Sequence, residues 1–183
     1  FTDIFEEESL GQSVFHGGFG MLTVQGLKKP SYHGFWFLSR LGDRLIERGE
    51  NYIVTRRDDR IQVLLWNYCH YNDIYANGDP TCITPLHRDA AFLEKDAIDL
   101  EIRFTKQAES MRMITYRFDK EHGSVYDSWL QNGAPEPPDR EELSILRSKM
   151  ELDAQISFVS TSDSIPVHIE PHGVTLLEFT PVL

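Results

Sequence analysis

The sequence predicts a mainly β protein: an antiparallel β-sandwich that is preceded by one strand–helix unit and carries one additional helix. Three observations support this fold class. Six segments with strand-like patterns follow residue 49, clusters of Asp, Asn, Gly and Pro separate them, and no βαβ rhythm is present there. The candidate strands lie at residues 51–57, 60–71, 96–107, 110–119, 152–160 and 173–183.

The candidate strands differ in how completely they are expected to be buried. In residues 96–107 apolar and polar side chains alternate, which indicates one packed side and one solvent-facing side. The packed side carries Ile98, Leu100, Ile102 and Phe104. Residues 61–71 are more uniformly apolar, and this predicts a central strand that is covered on both faces.

The additional helix is predicted within residues 135–150, with Asp139 as its N-cap. Asp139 and Glu142 have the spacing of a capping box, in which each side chain accepts a hydrogen bond from the other residue's backbone N–H. The apolar stripe of this helix consists of Leu143, Leu146 and Met150.

Residues 1–48 follow a different pattern. A short apolar strand at residues 20–24 is followed by a helix predicted from about residue 30 to residue 48, with Pro30 in its first turn and Gly49 at its end. The expected apolar stripe of this helix is Phe35, Leu38, Leu41 and Leu45. A single parallel unit has no neighbour with which to pair. We therefore interpret residues 1–48 as the last unit of a larger (β/α)8 barrel and residues 49–183 as a C-terminal β-sandwich domain.

Composition limits the possible classes of function. The chain of 183 residues suits one domain with or without a small appendage, and its 40% hydrophobic and 26% charged residues are typical of folded globular proteins. The net charge of −11 argues against a nucleic-acid partner. No apolar run reaches the length of a membrane helix, so no membrane partner is expected. Cys69 and Cys82 form no disulfide framework, which favours a reducing, cytoplasmic location.

The acidic run Glu6, Glu7 and Glu8 has two interpretations. In an extended segment Glu6 and Glu8 share one face at a separation of about 7 Å, which is within the roughly 5–9 Å range of catalytic carboxylates in glycoside hydrolases. A catalytic pair flanks its bond from two separate elements, however, so the residues themselves favour a solvated acidic loop.

The segment FHGGFG also has two interpretations. Gly17, Gly18 and Gly20 allow positive φ angles or a close approach of the backbone to a ligand, and His16 can donate a hydrogen bond to a substrate hydroxyl. A tight turn at the entry to a strand explains the same residues equally well.

No cofactor and no metal ion are expected. His168 and His172 lie in a strand-and-turn context rather than on one helix face, with no cysteine beside them. Neither a GxGxxG segment nor a Walker motif is present. Trp36, Trp66 and Trp129 can offer stacking surfaces for sugars, but their spacing on strands and helices is typical of core residues.

The first 45 residues resemble a known family. FTDIFEEES, followed by SVFHGGFGMLTVQGLKKPSYHGFWFLSRLGDRL, closely resembles the end of the catalytic barrel in glycoside hydrolase family 39, the β-xylosidases related to α-L-iduronidase. In that family a similar Phe-Ser/Thr-Asp-hydrophobic-Phe-Glu-Glu stretch follows barrel strand seven, and His-Gly-Gly-Phe-Gly leads into strand eight. The later VTRRDDRIQVLLWNYCHY looks like the first strands of the family's C-terminal β-sandwich.

The resemblance implies a retaining β-xylosidase that releases xylose from the non-reducing ends of xylo-oligosaccharides. It places the acid/base and nucleophile glutamates on earlier barrel strands, so no catalytic residue is expected in this chain and the chain alone is expected to be inactive. Glu6 and Glu7 match the acidic pair that lines the xylose-binding subsite, and Phe5 and His16 lie beside that pair. The implied partner is a xylo-oligosaccharide or another small glycoside.

Two other functions fit the sequence. A non-catalytic carbohydrate-binding or accessory β-sandwich would bind xylan, and a sugar-sensing or scaffold protein would use the fold without catalysis. In the family the start of the full chain adds a strand to the sandwich. We therefore expect an open sheet edge in this chain and self-association into a homo-oligomer through it.

Overall fold

A computed structural model describes residues 4–6, 13–105 and 110–182. Its helices and strands, in chain order, are α1 (Pro30–Arg40), β1 (Arg44–Arg48), β2 (Tyr52–Arg57), β3 (Arg60–Trp66), α2 (Asp73–Ala76), β4 (Ile98–Ile102), β5 (Ser110–Phe118), α3 (Val125–Gln131), α4 (Arg140–Lys149), β6 (Asp153–Ser160), β7 (Ile165–Ile169) and β8 (Val174–Pro181). The strands form antiparallel pairs, which confirms the predicted mainly β, antiparallel class. Among the described residues no helix has the length and apolarity to cross a bilayer.

The chain divides into two compact units that each combine separate segments. The first unit comprises Phe1–Phe35, Cys69–Lys95 and Lys120–Glu151, and the second comprises Trp36–Tyr68, Asp96–Asp119 and Leu152–Leu183. The domain boundary predicted after residue 48 stays a prediction. In this division residues 36–48 belong to the second unit, whereas residues 69–95 and 120–151 belong to the first.

The second unit is built on a six-stranded sheet. Its strand order is β1-β2-β3-β8-β5-β6, so β3 and β8 lie at the centre. Successive side chains of β3 point to opposite faces: Val63 and Leu65 belong to one buried cluster and Leu64 to another. The central strand predicted over residues 61–71, covered on both faces, is therefore confirmed as far as Trp66. The observed strand ends there and not at residue 71.

One face of this sheet packs against a two-stranded sheet of β4 and β7. The alternation predicted for β4 is confirmed, because its apolar side chains contribute to the shared cluster while Asp99 and Glu101 are exposed. The strand β7 was not among the six predicted strands, and it contains Pro166. Proline is tolerated there because, in the described part of the chain, β7 pairs with β4 alone.

The opposite face of the six-stranded sheet is covered by the end of α1. Phe37 is 1% exposed and packs with Leu64 and Leu176. The predicted stripe was wrong at Phe35 and Leu38, which are 65% and 58% exposed. Aromatic residues occur on several sides of this helix, so periodicity alone did not identify the buried one.

The helix also ends earlier than predicted, at Arg40 instead of residue 48. Gly42 passes so close to β2 that a Cβ atom there would lie 2.4 Å from the carbonyl carbon of Arg56, and its N–H donates to Thr55 Oγ1 at 2.8 Å. The chain then continues as β1, whose Leu45 is exposed instead of completing a helical stripe. A tertiary contact at Gly42 therefore replaces the second half of the predicted helix with an edge strand.

The first unit is organised around α3 and α4. Trp129 and Leu146 are each 1% exposed and share a cluster with Val14, Phe15 and Leu27. The capping box at the start of α4 and its apolar stripe are confirmed. The helix α3 was not predicted, although Ser124 caps its start. The strand predicted at residues 20–24 is reduced to isolated bridges at Leu22.

The predicted self-association through an open sheet edge stays a prediction. Among the described residues β6 pairs only with β5, and it exposes Ile156 and Phe158. Both features are those of an edge strand that another chain can extend.

Replacement of Leu146 by alanine tests whether the α3–α4 cluster stabilises the first unit. The change should lower the free energy of unfolding by about 2–5 kcal/mol, because it leaves a cavity at a fully buried position. Ile145 is a matched control in the same helix, since it is 48% exposed. Ile145→Ala should cost less than about 1 kcal/mol. Urea unfolding followed by circular dichroism measures both, and equal losses would contradict the assignment of this core.

Candidate functional site

The segment that contains Phe5 and Glu6 lies beside the stretch around Leu22. Phe5 and Leu22 form a parallel bridge, the Glu6 N–H donates to the Leu22 carbonyl at 3.0 Å, and the Leu22 N–H donates to the Ile4 carbonyl at 2.9 Å. Phe5 remains 52% exposed. Glu7 and Glu8 lie outside the described residues.

The Glu6 carboxylate is buried and held by two basic side chains. Its side chain is 1% exposed, one oxygen pairs with the Lys29 ammonium, and the other lies 3.1 Å from His16 Nε2. The Lys29 Nζ also donates to the Gly18 carbonyl at 2.6 Å. An unpaired buried carboxylate destabilises the folded state. The Lys29 ammonium is the positive charge that mainly offsets this cost for Glu6.

The hydrogen bond that His16 Nδ1 accepts defines the tautomer of the ring. The Gly18 N–H donates to His16 Nδ1 at 3.1 Å, so Nδ1 carries a lone pair and the ring proton lies on Nε2, which faces Glu6. Gly17 and Gly20 have φ angles of +81° and +100°, a region that favours glycine. The glycines predicted to permit positive φ angles do so at these two positions.

The residues just before His16 anchor this turn to the first unit. The Val14 N–H donates to both carboxylate oxygens of Glu136, at 3.1 and 3.2 Å. The Phe15 ring lies 5.3 Å from the Trp129 ring and 5.7 Å from the Tyr126 ring. These contacts hold the backbone at His16 in place.

His16 opens onto a cleft of about 680 Å³ in the first unit. The lining residues come from three stretches of chain and are mostly aromatic, apolar or hydroxyl-bearing. They are Ser13, Phe15, His16, Gly17, Tyr71, Tyr75, Ile83, Thr84, Pro85, Arg88, Ala91 and Phe92. A concave site with many ring faces and few polar groups is typical of a small-molecule pocket.

Stacked rings form one wall of this cleft. Tyr71 and Phe92 stack with their centroids 5.0 Å apart at 29°, and the Tyr75 ring lies 4.7 Å from Tyr71. The backbone holds the two segments together, since the Asn72 N–H donates to the Ala91 carbonyl at 2.9 Å. Asn72 also caps α2 by accepting from the Tyr75 N–H at 2.9 Å.

The lining of the cleft also includes the positively charged side chain of Arg88. The Arg88 guanidinium lies over the Tyr126 ring, 5.0 Å from its centroid, and the Tyr126 hydroxyl donates to the Pro85 carbonyl at 2.7 Å. A Cβ atom at Gly17 would lie 4.0 Å from an Arg88 nitrogen, so this cation is close to the glycine turn.

The structure brings together part of the site predicted from the sequence. Glu6 and His16 are in contact, and His16 also lines the cleft. Sequence reasoning missed Tyr71, Arg88 and Phe92, which lie in connecting segments without clear periodicity. The signal available was local: aromatic residues recur through residues 68–75, at the end of the predicted strand 60–71 and just beyond it.

The described residues contain no group of three or more His, Cys, Asp or Glu side chains suited to a metal ion. His168, considered as a ligand from sequence, lies 2.8 Å from Asp99 and 3.2 Å from Glu170. Hydrogen bonds to these carboxylates raise the pKa of His168.

The model of the family described as glycosyl hydrolases family 39 matches residues 1–163. The chain belongs to glycosyl hydrolase family 39. Two β-xylosidases are similar in sequence. That of Geobacillus stearothermophilus is 29% identical over 149 residues, which cover 81% of this chain and 26% of that protein. That of Caldicellulosiruptor saccharolyticus is 51% identical over 47 residues, covering 26% of this chain and 10% of that protein.

Solved structures of the family share the fold of this chain. A monomeric β-xylosidase from Caulobacter crescentus CB15 has a TM-score of 0.74 at 17% identity, over 94% of this chain and 35% of that one. The GH39 enzyme from Xanthomonas axonopodis pv. citri has a TM-score of 0.70 at 17% identity, over 93% and 34%. This family 39 chain therefore spans about a third or less of the relatives it matches.

Stability of this family 39 chain should depend on the protonation of His33. Burial, helped by the positive charge of Lys28, lowers the pKa of His33 from 6.5 to about 4. Between pH 4 and pH 6.5, His33 is therefore protonated in the unfolded chain and neutral in the folded chain. Stability is therefore fully present above about pH 6.5 and decreases as the pH falls to about 4. We expect a loss of up to about 2 kcal/mol after solvent screening is allowed for.

Urea unfolding at several pH values, followed by circular dichroism, measures this effect. His33→Gln should reduce the change in the free energy of unfolding between pH 4 and pH 6.5. His168→Gln is the matched control, because a raised pKa affects stability above pH 6.5 instead. If the free energy of unfolding of His33→Gln changed with pH as it does in the unmodified chain, the pH dependence could not be assigned to His33.

The buried pair of Glu6 and Lys29 predicts a second stability effect. Lys29→Met leaves the Glu6 carboxylate without its ammonium partner and should cost about 3 kcal/mol, whereas Glu6→Gln with Lys29→Met should recover part of the loss. Lys28→Met is the control, since Lys28 pairs with an exposed Glu151 and should cost less than about 1 kcal/mol. Denaturant unfolding of the unmodified chain, of Lys29→Met and Glu6→Gln separately, and of the double variant measures the coupling, and additive losses would exclude a direct interaction.

Proposed function

We propose that this chain is the C-terminal part of a retaining β-xylosidase that removes xylose from the non-reducing ends of xylo-oligosaccharides. The observation that carries the proposal is the family 39 match over residues 1–163. The similarity to two proteins named β-xylosidase supports this sugar specificity over others.

The fold supports two finer assignments. A two-stranded sheet packed on a six-stranded sheet is consistent with the C-terminal β-sandwich. The parallel bridge between Phe5 and Leu22, followed by α1, is consistent with the last two strands and the last helix of a (β/α)8 barrel. In such a barrel, residues that follow the carboxyl ends of the strands surround the active site.

The proposed sugar contacts are Phe5, Glu6, Glu7 and His16. His16 is the best placed of them in the described residues, because its ring lines the cleft. The Glu6 carboxylate is covered by Lys29 and His16, so a sugar hydroxyl would reach it only if one of these side chains moved. Without such movement, Glu6 acts as a positioning residue that holds His16.

The chemistry of a retaining glycosidase requires two carboxyl groups about 5–5.5 Å apart, one as nucleophile and one as acid/base. We propose that both are supplied by barrel strands that precede this chain in the whole protein. This chain then contributes one wall of the sugar site and the sandwich domain.

Hydrolysis of 4-nitrophenyl β-D-xylopyranoside tests the proposal. The chain alone should show kcat/KM lower by more than about 10⁴-fold than the complete polypeptide of family length, because both catalytic carboxylates are absent. Turnover by the chain alone would overturn its assignment as a non-catalytic part. Absence of turnover by the complete polypeptide, together with xylan binding by the chain, would favour the accessory carbohydrate-binding function instead.

A further inference from the structure

We propose that the cleft beside His16 binds a sugar that bears a carboxylate, and that the Arg88 guanidinium pairs with this group. The choice of a sugar as ligand rests on the proposed glycosidase function. The carboxylate is inferred from the cleft itself. A branched xylo-oligosaccharide with a uronic acid substituent has both features.

The charge of Arg88 is available for a ligand. In the described part of the chain no carboxylate lies within 4 Å of its guanidinium, although the protein has a net charge of −11. The adjacent acid, Asp89, pairs with Lys120 instead. By contrast, Arg40 makes a two-pronged contact with Glu178 at 2.7 and 2.9 Å.

The position of Arg88 is prepared for planar recognition. Its guanidinium carbon lies over the Tyr126 ring, 5.0 Å from the centroid. Tyr126 is in turn fixed by its hydrogen bond to Pro85 and by contact with the Phe15 ring. A guanidinium that is held over a fixed ring loses little freedom when a carboxylate binds to it with two hydrogen bonds.

The remaining lining favours an anionic ligand over a neutral sugar. None of the described lining residues is Asp or Glu, so the cleft lacks the strongest acceptors for sugar hydroxyls. A guanidinium can only donate hydrogen bonds and therefore selects for acceptors on the ligand. The hydroxyl groups of Ser13 and Thr84 supply further neutral polar contacts.

The aromatic wall explains why the ligand is a sugar rather than a simple anion. Tyr71, Tyr75 and Phe92 present apolar ring surface on which the C–H face of a sugar ring can pack. The cleft has a volume of about 680 Å³, which leaves room for a ligand larger than a single carboxylate group.

Titration calorimetry of the protein at low ionic strength tests the proposal. The probe is xylotriose with one glucuronic acid branch, and its matched control is the same compound with the carboxylate reduced to an alcohol. The acidic compound should bind about tenfold more tightly, because only it can form the charge-assisted pair. Arg88→Gln should remove this preference, and Arg88→Lys should retain only part of it.

Control variants distinguish the loss of the Arg88 contact from the loss of any positive charge and from unfolding. Arg103→Gln removes an exposed arginine that already pairs with Glu101, so the preference should persist in that variant. Circular dichroism and thermal unfolding establish that each variant is folded. Arg88→Lys keeps the charge and the packing of the alkyl chain, so the test remains available if Arg88→Gln fails to fold.

Each alternative result overturns a defined part of the proposal. Equal affinity for the acidic and reduced compounds would exclude recognition of the carboxylate. A preference that survives in Arg88→Gln would exclude Arg88, and equal binding of acetate would exclude the sugar. No binding of either compound would exclude the cleft as a site. None of these results depends on xyloside hydrolysis by the complete polypeptide, so failure of this inference and failure of the proposed function are distinguishable.

Discussion

The buried carboxylate of Glu6 is the constraint on which the arrangement of the candidate site depends. It connects three pieces of chain: the extended segment bridged to Leu22, the glycine turn that carries His16, and Lys29 just before α1. The Lys29 ammonium also bonds the Gly18 carbonyl, so one cation serves both the carboxylate and the turn. Because an unpaired charge in this position would be strongly destabilising, these pieces are held in register by electrostatics as well as by packing.

The cleft next to this pair is made mostly by connecting segments, and the short helix α2 contributes Tyr75. Phe15 anchors the glycine turn against α3, while the Tyr71–Phe92 stack joins the two ends of the segment between β3 and β4. Loops that are fixed by such contacts can present side chains with the precision that binding requires. In this family 39 chain, the glycine turn that carries His16 lies beside aromatic rings and the Arg88 guanidinium, which the FHGGFG segment itself does not include.

Much of the second unit followed from local pattern, and its errors have physical causes. The alternation of β4 and the uniform apolarity of β3 reflect burial on one face or on two, which sequence records directly. The end of α1 could not be predicted, because it depends on a tertiary contact between Gly42 and β2 that local periodicity does not record. The strand β7 contains a proline that only an edge position permits. The site was predicted at His16 and Glu6, whereas the aromatic wall, formed by loops without periodicity, was not.

The sequence by itself determined the family, the antiparallel β class and the capped helix α4, because motifs, alternation and capping are encoded by neighbouring residues. Tertiary structure alone decided where α1 ends, how Glu6 is neutralised and which side chains share a cleft. It also placed Arg88 against Tyr126 and beside Gly17, residues separated by long stretches of chain. These outcomes depend on distances between remote segments, and such distances are established only when the chain buries its apolar clusters and pairs its buried charge.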